Sequence, residues 1–280
     1  MSETNSLYYR KFSPEKALEQ VVKYGWVMKD EMTTRSEHDL LIPDGYVEII
    51  FVLNGAYYKE DIHKKRAMTT INQSCVVGLQ STSVLASRTD QCYLVGLKLF
   101  PWGAYRLFGE QLQNTTDTNI DIHDFGATWL CKLNDGLCPG LEETAIISRI
   151  NTALCHQIEQ QKANTAWKVA KSYLNTILEV NGQLTVKDIA QKHHVSMRHL
   201  QRKFKQYYGL SPKKLINIIR FKQLYKASVL QQKLPNDFLD FGYYDQMHFI
   251  KDFRKHMGVL PSKTKDITFL KLNKMAKINS

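Results

Sequence analysis

The spacing of apolar residues divides the chain into two parts. In the first 135 residues, short runs rich in Val, Ile, Tyr and Phe recur, as at 46–58 (YVEIIFVLNGAYY) and 92–100 (CYLVGLKLF), with Gly, Pro and Asn between them. This pattern predicts an antiparallel barrel or sandwich rather than alternating α/β units. We also expect flanking helices at Pro14–Tyr24 and Trp102–Gln111.

From residue 141 onward the apolar spacing becomes helical. Ile146, Ile150, Leu154 and Ile158 recur every four residues and predict a helix with one apolar face. The segment is a connector or a dimer contact, or its apolar face packs on its own domain. Helical patterns with short breaks then continue from Thr165 almost to the end.

Charge is unevenly distributed between the two parts. Residues 165–264 hold 18 Lys/Arg and 6 Asp/Glu, a net of +12, whereas residues 1–164 hold 16 Lys/Arg and 20 Asp/Glu, a net of −4. A strongly basic region is expected to meet a polyanion, with nucleic acid as the first candidate and an anionic membrane surface as the second. The membrane is disfavoured because the basic region lacks a long amphipathic helix with a clean Lys/Arg face.

Together, these patterns suggest four segments along the chain. They are a β-rich domain at 1–140, a helical connector at 141–164, a basic helical domain at 165–264 and a basic tail at 265–280.

The basic region contains an internal repeat. SMRHLQRKFKQYYGLSPKK (196–214) aligns with DQMHFIKDFRKHMGVLPSK (245–263) at a constant offset of 49 residues. Two copies of one supersecondary unit are expected to adopt the same local fold. The matched pairs are His199 and His248, Phe204 and Phe253, Gly209 and Gly258, and Pro212 and Pro261.

Each copy predicts a helix-turn-helix unit. In the first, Thr185 can cap one helix, with Asp188 in its first turn, and Ser196 can cap the next; in the second, Asp245 is the cap. Leu200 and Phe204, and in the other copy Phe249 and Phe253, lie four residues apart and face inward. The outward faces then carry Arg198, Gln201, Arg202 and Lys205 in the first copy, and Gln246, Met247, Ile250, Lys251, Arg254 and Lys255 in the second.

A single long helix is predicted between the copies, at 213–230. Its Ile216, Ile219 and Leu224 can reach both units and hold them at a fixed spacing. A helical bundle with solvated charges would not explain two copies that both turn Arg, Gln and Lys outward.

The stretches 188–221 and 242–263 resemble the DNA-binding domain of the AraC/XylS family of bacterial transcription regulators. The resemblance implies seven helices, with one recognition helix in each of two adjacent major-groove segments. It implies base contacts at Arg198, Gln201, Arg202, Gln246, Met247 and Lys251. The basic surface adds Lys203, Lys205, Arg220, Arg254 and Lys255 as candidate phosphate contacts.

The chain departs from the family pattern at two places. His194 stands where glycine is usual in the first turn, and His tolerates a left-handed backbone better than most residues. The Ile-Ala pair of the second unit is replaced within 234–242 (LPNDFLDFG), so we expect its first helix to be short or distorted.

The N-terminal half, through 42–55 and 95–109, resembles the cupin-like domain that precedes some AraC-type DNA-binding domains. The expected fold class is therefore α+β, with a β-rich cupin-like N-terminal domain and an all-α C-terminal domain. The N-terminal domain either senses a small molecule or a partner, or serves only for dimerisation.

Two other classes of protein fit these residues less well. A metal-dependent cupin enzyme needs a His-x-His set, but His38, His63 and His123 are scattered and the five cysteines form no Cys-x-x-Cys pair. We therefore expect no catalytic residues, no metal and no cofactor. A nonspecific architectural DNA-binding protein would share the charge but lack two organised reading helices, and competition with random DNA distinguishes it.

Double-stranded DNA is the expected partner. RNA polymerase, a small-molecule effector and a second copy of the chain are further candidate partners. The first residues lack the apolar core of a secretory signal, so the expected location is the cytoplasm, on the nucleoid when DNA is bound.

Overall fold

The structure, a computed structural model, describes residues 7–30, 39–63, 69–88, 91–231 and 237–263. The predicted basic tail at 265–280 lies outside the described residues. The N-terminal half is β-rich and the C-terminal part is helical, which confirms the predicted α+β fold class. None of the described helices is long and apolar enough to cross a membrane.

The described residues form ten strands in two antiparallel sheets. The strands are β1 (Tyr8–Phe12), β2 (Val22–Asp30), β3 (Asp39–Leu41), β4 (Val47–Asn54), β5 (Tyr57–Asp61), β6 (Thr69–Ile71), β7 (Cys75–Val77), β8 (Val84–Arg88), β9 (Cys92–Leu99) and β10 (Asn119–Asp121). The larger sheet has the order β1-β2-β9-β4-β7-β10 and the smaller one the order β3-β8-β5-β6. This is the antiparallel arrangement predicted from the apolar runs.

The two faces of the larger sheet bury different sets of residues, because successive side chains of a strand point to opposite sides. Val27 and Val95 are fully buried in the main hydrophobic core, which this sheet shares with the helices. Trp26, on the other face, packs in a second cluster that includes Tyr57 of the smaller sheet. Gly96 pairs with Trp26, and a Cβ at Gly96 would come within 2.0 Å of the indole, so this position requires glycine.

The predicted helix at Pro14–Tyr24 is wrong. Only a single 3-10 turn forms there, at Lys16–Leu18, and β2 begins at Val22. The backbone N–H of Phe100 donates to the carbonyl of Val21 at 2.9 Å, which draws this segment into strand pairing with the end of β9. Tertiary pairing overrides a local helical pattern here.

Three α-helices follow in the described part of the N-terminal half: α1 (Pro101–Phe108), α2 (Thr128–Asp135) and α3 (Glu143–Gln160). A 3-10 segment, Gly109–Asn114, continues α1 and confirms the predicted helix near the end of the β-rich part.

The apolar face of α3 is buried inside its own chain. Ile146, Ile150 and Leu154 are fully buried and Ile158 is 8% exposed, all in the main hydrophobic core. The helix packs on α1, α2 and the 3-10 turn at Lys16–Leu18. The apolar face therefore packs on its own domain and is not available as a contact to a second copy of the chain.

In the described residues, the C-terminal part forms five α-helices: α4 (Ala166–Glu179), α5 (Val186–Lys192), α6 (Met197–Tyr208), α7 (Pro212–Gln231) and α8 (Gln246–Met257). Two 3-10 turns, Leu239–Phe241 and Pro261–Lys263, also form. With the five α-helices they make seven described helical segments after residue 165, and seven is the number of helices that the resemblance implies.

Helix α7 joins two hydrophobic cores, as predicted. Ile216 and Ile219 belong to the main core, which also holds the first repeat, whereas Leu224 belongs to a separate cluster. We call that cluster the distal core. Its buried members are Phe221, Leu224, Tyr225, Tyr243, Phe249, Phe253 and Met257.

Candidate DNA interface

The first helix of unit one, α5, begins with a reciprocal cap. The backbone N–H of Asp188 donates to Thr185 Oγ1 at 3.2 Å, and the backbone N–H of Thr185 donates to Asp188 Oδ2 at 2.7 Å. The backbone N–H of Thr185, and its hydroxyl at 2.9 Å from Oδ2, both donate to the carboxylate and so lower the pKa of Asp188. Ile189 and Ala190 are buried beneath the second helix, so the predicted cap and packing of α5 are confirmed.

The turn between α5 and α6 accepts histidine in place of the usual glycine. His194 adopts a left-handed backbone with φ of 53°, as predicted. Its neighbour His193 is held by Thr176 Oγ1, 2.9 Å from Nε2, and by an edge contact with Tyr173. Burial lowers the pKa of His193, so the ring is neutral at physiological pH.

Helix α6 presents one continuous polar face. Ser196 caps it by accepting the His199 N–H at 3.1 Å, and Gly209 ends it with φ of 70°. Leu200 and Phe204 are fully buried. The exposed face repeats at the spacing i, i+3, i+4 and i+7 and consists of Arg198, Gln201, Arg202 and Lys205.

Helix α8 repeats this construction. Asp245 caps it by accepting the His248 N–H at 2.7 Å, and Gly258 ends it with φ of 73°. Phe249 and Phe253 are buried in the distal core. At the offset of 49 residues, the face equivalent to that of α6 consists of Met247, Ile250, Lys251 and Arg254, with Gln246 and Lys255 exposed beside it.

A cleft of about 700 Å³ runs along this face of α8. Met247, Ile250, Lys251 and Arg254 all line it. His63, two residues after β5, also lines it, and its Nε2 lies 2.5 Å from the carbonyl oxygen of Lys255. The N-terminal half therefore borders the outward face of the second unit.

The first helix of the second unit is reduced to a 3-10 turn in the described residues. That turn, Leu239–Phe241, ends at Gly242 with φ of 76°. Residues 234–236 of the segment predicted to be distorted lie outside the described ranges. The described remainder is short, as predicted.

The candidate phosphate contacts differ in their exposure. Lys205, Arg254 and Lys255 are exposed. Lys203 is half-buried, donates to Gln206 Oε1 at 3.0 Å and lies over the Tyr207 ring. Because Gln206 in turn bonds Glu110, the flank of α6 that carries Lys203 faces the N-terminal half.

The structure does not support the prediction that Arg220 contacts a phosphate. The residue is buried, with 8% exposure, and its Nε and Nη2 donate to the carbonyl of Gly182 at 3.2 and 2.9 Å. Its guanidinium also lies over the Tyr243 ring. Arg220 therefore ties the loop before α5 to the distal core and is withdrawn as a phosphate contact. Its spacing of four residues from Ile216, on the inner face of α7, is the sequence signal that could have shown this.

Two features of this surface were missed by the sequence analysis. Tyr244 is 79% exposed at the start of α8 and stacks on His248, with ring centroids 5.8 Å apart. A polar cleft of about 270 Å³ on α4, at its border with α5, is lined by Lys168, Lys171, Ser172, Asn175, Thr176, Glu179 and Lys192. Its three lysines are further candidates for contact with an anion.

This arrangement defines a class of protein. A helix-turn-helix unit, followed by a second capped helix with an equivalent exposed cationic face, is the construction of a DNA-binding regulator. Among the residues that the structure describes, no group of three or more His, Cys, Asp or Glu is placed to hold a metal ion.

Comparison with known proteins identifies the family. A model described as a helix-turn-helix domain matches residues 189–266, and one described as a domain of unknown function (DUF6597) matches residues 10–121. The chain is similar to the probable transcription factor PqrA of Proteus vulgaris, with 31% identity over 98 residues that cover 34% of this chain and 78% of PqrA. The chain belongs to the AraC/XylS family of transcription regulators.

Solved structures show weaker similarity. ToxT from Vibrio cholerae matches with 11% identity and a TM-score of 0.42, over 91% of this chain and 97% of ToxT. The AraC-like transcriptional activator CuxR matches with 15% identity and a TM-score of 0.27, over 78% of this chain and 86% of CuxR. Both TM-scores are low, and the family assignment does not depend on them.

Proposed function

We propose that this regulator binds double-stranded DNA sequence-specifically and reads two adjacent major-groove segments with α6 and α8. The observation that carries the proposal is the repeated exposed face, which has the same helical spacing on both helices at an offset of 49 residues. Side chains with this spacing project from one side of a helix, as entry into a major groove requires.

The proposed contacts fall into two groups. Base contacts are assigned to Arg198, Gln201, Arg202, Gln246, Met247 and Lys251. Phosphate contacts are assigned to Lys205, Arg254 and Lys255; Lys203 is left out, because its flank of α6 faces the N-terminal half. Since α7 packs into both cores, it should hold the two units about 10 base pairs apart on one face of the DNA.

Substitution of Arg202 tests the assignment of α6. The ligand is a duplex that the full chain selects from random DNA. Arg202→Ala should weaken binding to this duplex by about 1–3 kcal/mol and relax the preference for specific bases. Lys162→Ala is the control, because Lys162 is an exposed cation paired with Glu159 away from both recognition helices. Unchanged affinity and base preference in Arg202→Ala would contradict the assignment.

A footprint of the same complex tests the two-segment geometry. Two protected major-groove segments about one helical turn apart are expected. A single protected segment would show that α8 does not enter the groove. Equal affinity for random DNA would instead favour a nonspecific architectural protein.

The N-terminal half is proposed to control this binding through a small molecule or a partner. It contacts both units directly. Thr116 Oγ1 donates to the Gly209 carbonyl at 3.0 Å beside unit one, and the Ser83 N–H donates to the His256 carbonyl at 3.3 Å in unit two. A ligand that shifts the N-terminal half would therefore change how the two units sit relative to each other.

The alternative, a half that serves only for dimerisation, predicts different results. If the N-terminal half is a sensor, at least one compound of a broad metabolite panel should change the DNA affinity of the full chain. Sedimentation of the full chain at micromolar concentration measures dimerisation separately. The isolated half is unsuitable for this purpose, because the main core continues into α4, α6 and α7 and would be exposed.

A further inference from the structure

Equivalent positions on the two recognition helices carry different chemistry. The two helices end at equivalent glycines and bury equivalent aromatic residues, so their faces can be compared residue by residue. The first two positions of the face are strongly polar on α6 and apolar on α8. The equivalent pairs are Arg198 and Met247, Gln201 and Ile250, Arg202 and Lys251, and Lys205 and Arg254.

These side chains select different base edges. An arginine guanidinium can donate two hydrogen bonds to O6 and N7 of guanine, and a glutamine amide pairs with N6 and N7 of adenine. The thioether of Met247 and the aliphatic chain of Ile250 can do neither. In the major groove, the apolar group available to them is the C5-methyl of thymine.

The surroundings of Met247 indicate an occupant that is both apolar and anionic. Met247 is 73% exposed, which leaves a large apolar side chain in water. It lines the cleft on α8 together with Lys251, Arg254 and Lys255. A thymine-containing duplex supplies methyl groups for the apolar part and phosphates for the flanking cations.

We propose that α8 recognises thymine methyl groups through Met247, with Ile250 beside it, whereas α6 recognises guanine and adenine edges. Gln246, next to Met247, can bond the adenine of the same or a neighbouring A·T pair. The site on DNA is then asymmetric, with a guanine-containing segment under α6 and a segment rich in A·T pairs under α8. This inference rests on the proposed function, in which both helices enter the major groove.

Replacement of thymine by deoxyuridine tests the inference, because it removes only the methyl group. In the duplex selected by the full chain, each thymine of the α8 segment is replaced singly. Loss of a contacted methyl should weaken binding about fourfold, as expected for one buried carbon group. The same replacement in the α6 segment should have a smaller effect.

Two variants locate the contact. In Met247→Ala, the deoxyuridine effect should disappear at one or more positions of the α8 segment. Met197→Ala is the matched control, because Met197 is an exposed methionine in the first turn of α6, and it should leave those effects unchanged. Since Met247 is exposed, its replacement should leave the fold intact.

Specific results would overturn the inference. They are a selected α8 segment without thymine, no deoxyuridine effect in the wild-type chain, or undiminished effects in Met247→Ala. A Met247→Ala variant that alters transcription but not DNA binding would assign this face to a protein partner instead. In each case two protected segments in the footprint would leave the proposed function intact, whereas one segment would remove both.

Discussion

The two helix-turn-helix units share a register but differ in how they are supported. In unit one, α5 is a regular helix with a reciprocal cap, and Leu200 and Phe204 lie in the main core with the N-terminal half. In unit two, the equivalent of α5 is a 3-10 turn, Leu239–Phe241, in the described residues, and Phe253 lies in the smaller distal core.

This difference shows that the same outward face can be held by unequal scaffolds. Unit one is part of a large core and should open only when the whole protein unfolds. Unit two depends on α7 and on a few contacts with the N-terminal half, such as that of His63 with Lys255. Small, separately packed regions open at lower free energy than the main core.

Replacement of the equivalent residues Phe204 and Phe253 by alanine should give the clearest difference in stability between the two scaffolds. Phe204→Ala and Phe253→Ala each remove a fully buried ring and should lower the local free energy of unfolding by about 3–5 kcal/mol. Hydrogen exchange should show lost protection throughout the chain in Phe204→Ala, but only in α8 and the distal core in Phe253→Ala. Equal loss of protection in α6 and α8 in both variants would contradict the comparison.

Acid should weaken unit two before unit one. Burial first, then the nearby charges of Lys255 and His63, lower the pKa of His256 from 6.5 to about 3, although Asp252 lies 3.6 Å away. Because the folded-state pKa is depressed, His256 supports stability above pH 6.5 and that support is lost as the pH falls toward 3. Between about pH 7 and pH 5 the loss should be about 2 kcal/mol.

Urea denaturation monitored in α8 measures this loss. His256→Leu should reduce the pH dependence by that amount whatever its effect on stability at neutral pH. His156→Gln is the control, since His156 is exposed on α3. A pH dependence that His256→Leu leaves unchanged would show that this residue is not the cause.

The salt dependence of DNA binding should be affected equally through the two units, although their scaffolds differ. Lys205 and Arg254 occupy equivalent positions, so Lys205→Ala and Arg254→Ala should each reduce the slope of log K against log salt by about one unit. Gln201→Ala should change base preference and leave the slope unaltered. A reduced slope for one of the two variants alone would place only one helix against phosphates.

Removal of the cap of α5, which has no described counterpart in unit two, should have the smallest effect. Thr185→Ala removes the side-chain acceptor for the Asp188 N–H and should lower the free energy of unfolding by about 1 kcal/mol. Thermal unfolding measures it. Thr185→Ser retains the hydroxyl and should recover most of the loss.

Local features of both units could be predicted from the chain alone. The caps at Thr185, Ser196 and Asp245 and the left-handed turn at His194 depend on residues a few positions apart. Inward spacing of aromatic residues on each helix is likewise a local pattern. The constant offset of the repeat then identified equivalent positions on the outward faces of the two helices.

Non-local packing decided the remaining features. Arg220 looked like a surface cation until the Gly182 carbonyl and the Tyr243 ring were found around it. The segment Pro14–Tyr24 looked helical, but pairing with β9 extended its end. The apolar face of α3 had two possible partners, and the structure buries it against α1 and α2. Caps and turns are set by bonds between neighbours in sequence, whereas burial of a side chain depends on which distant surface covers it.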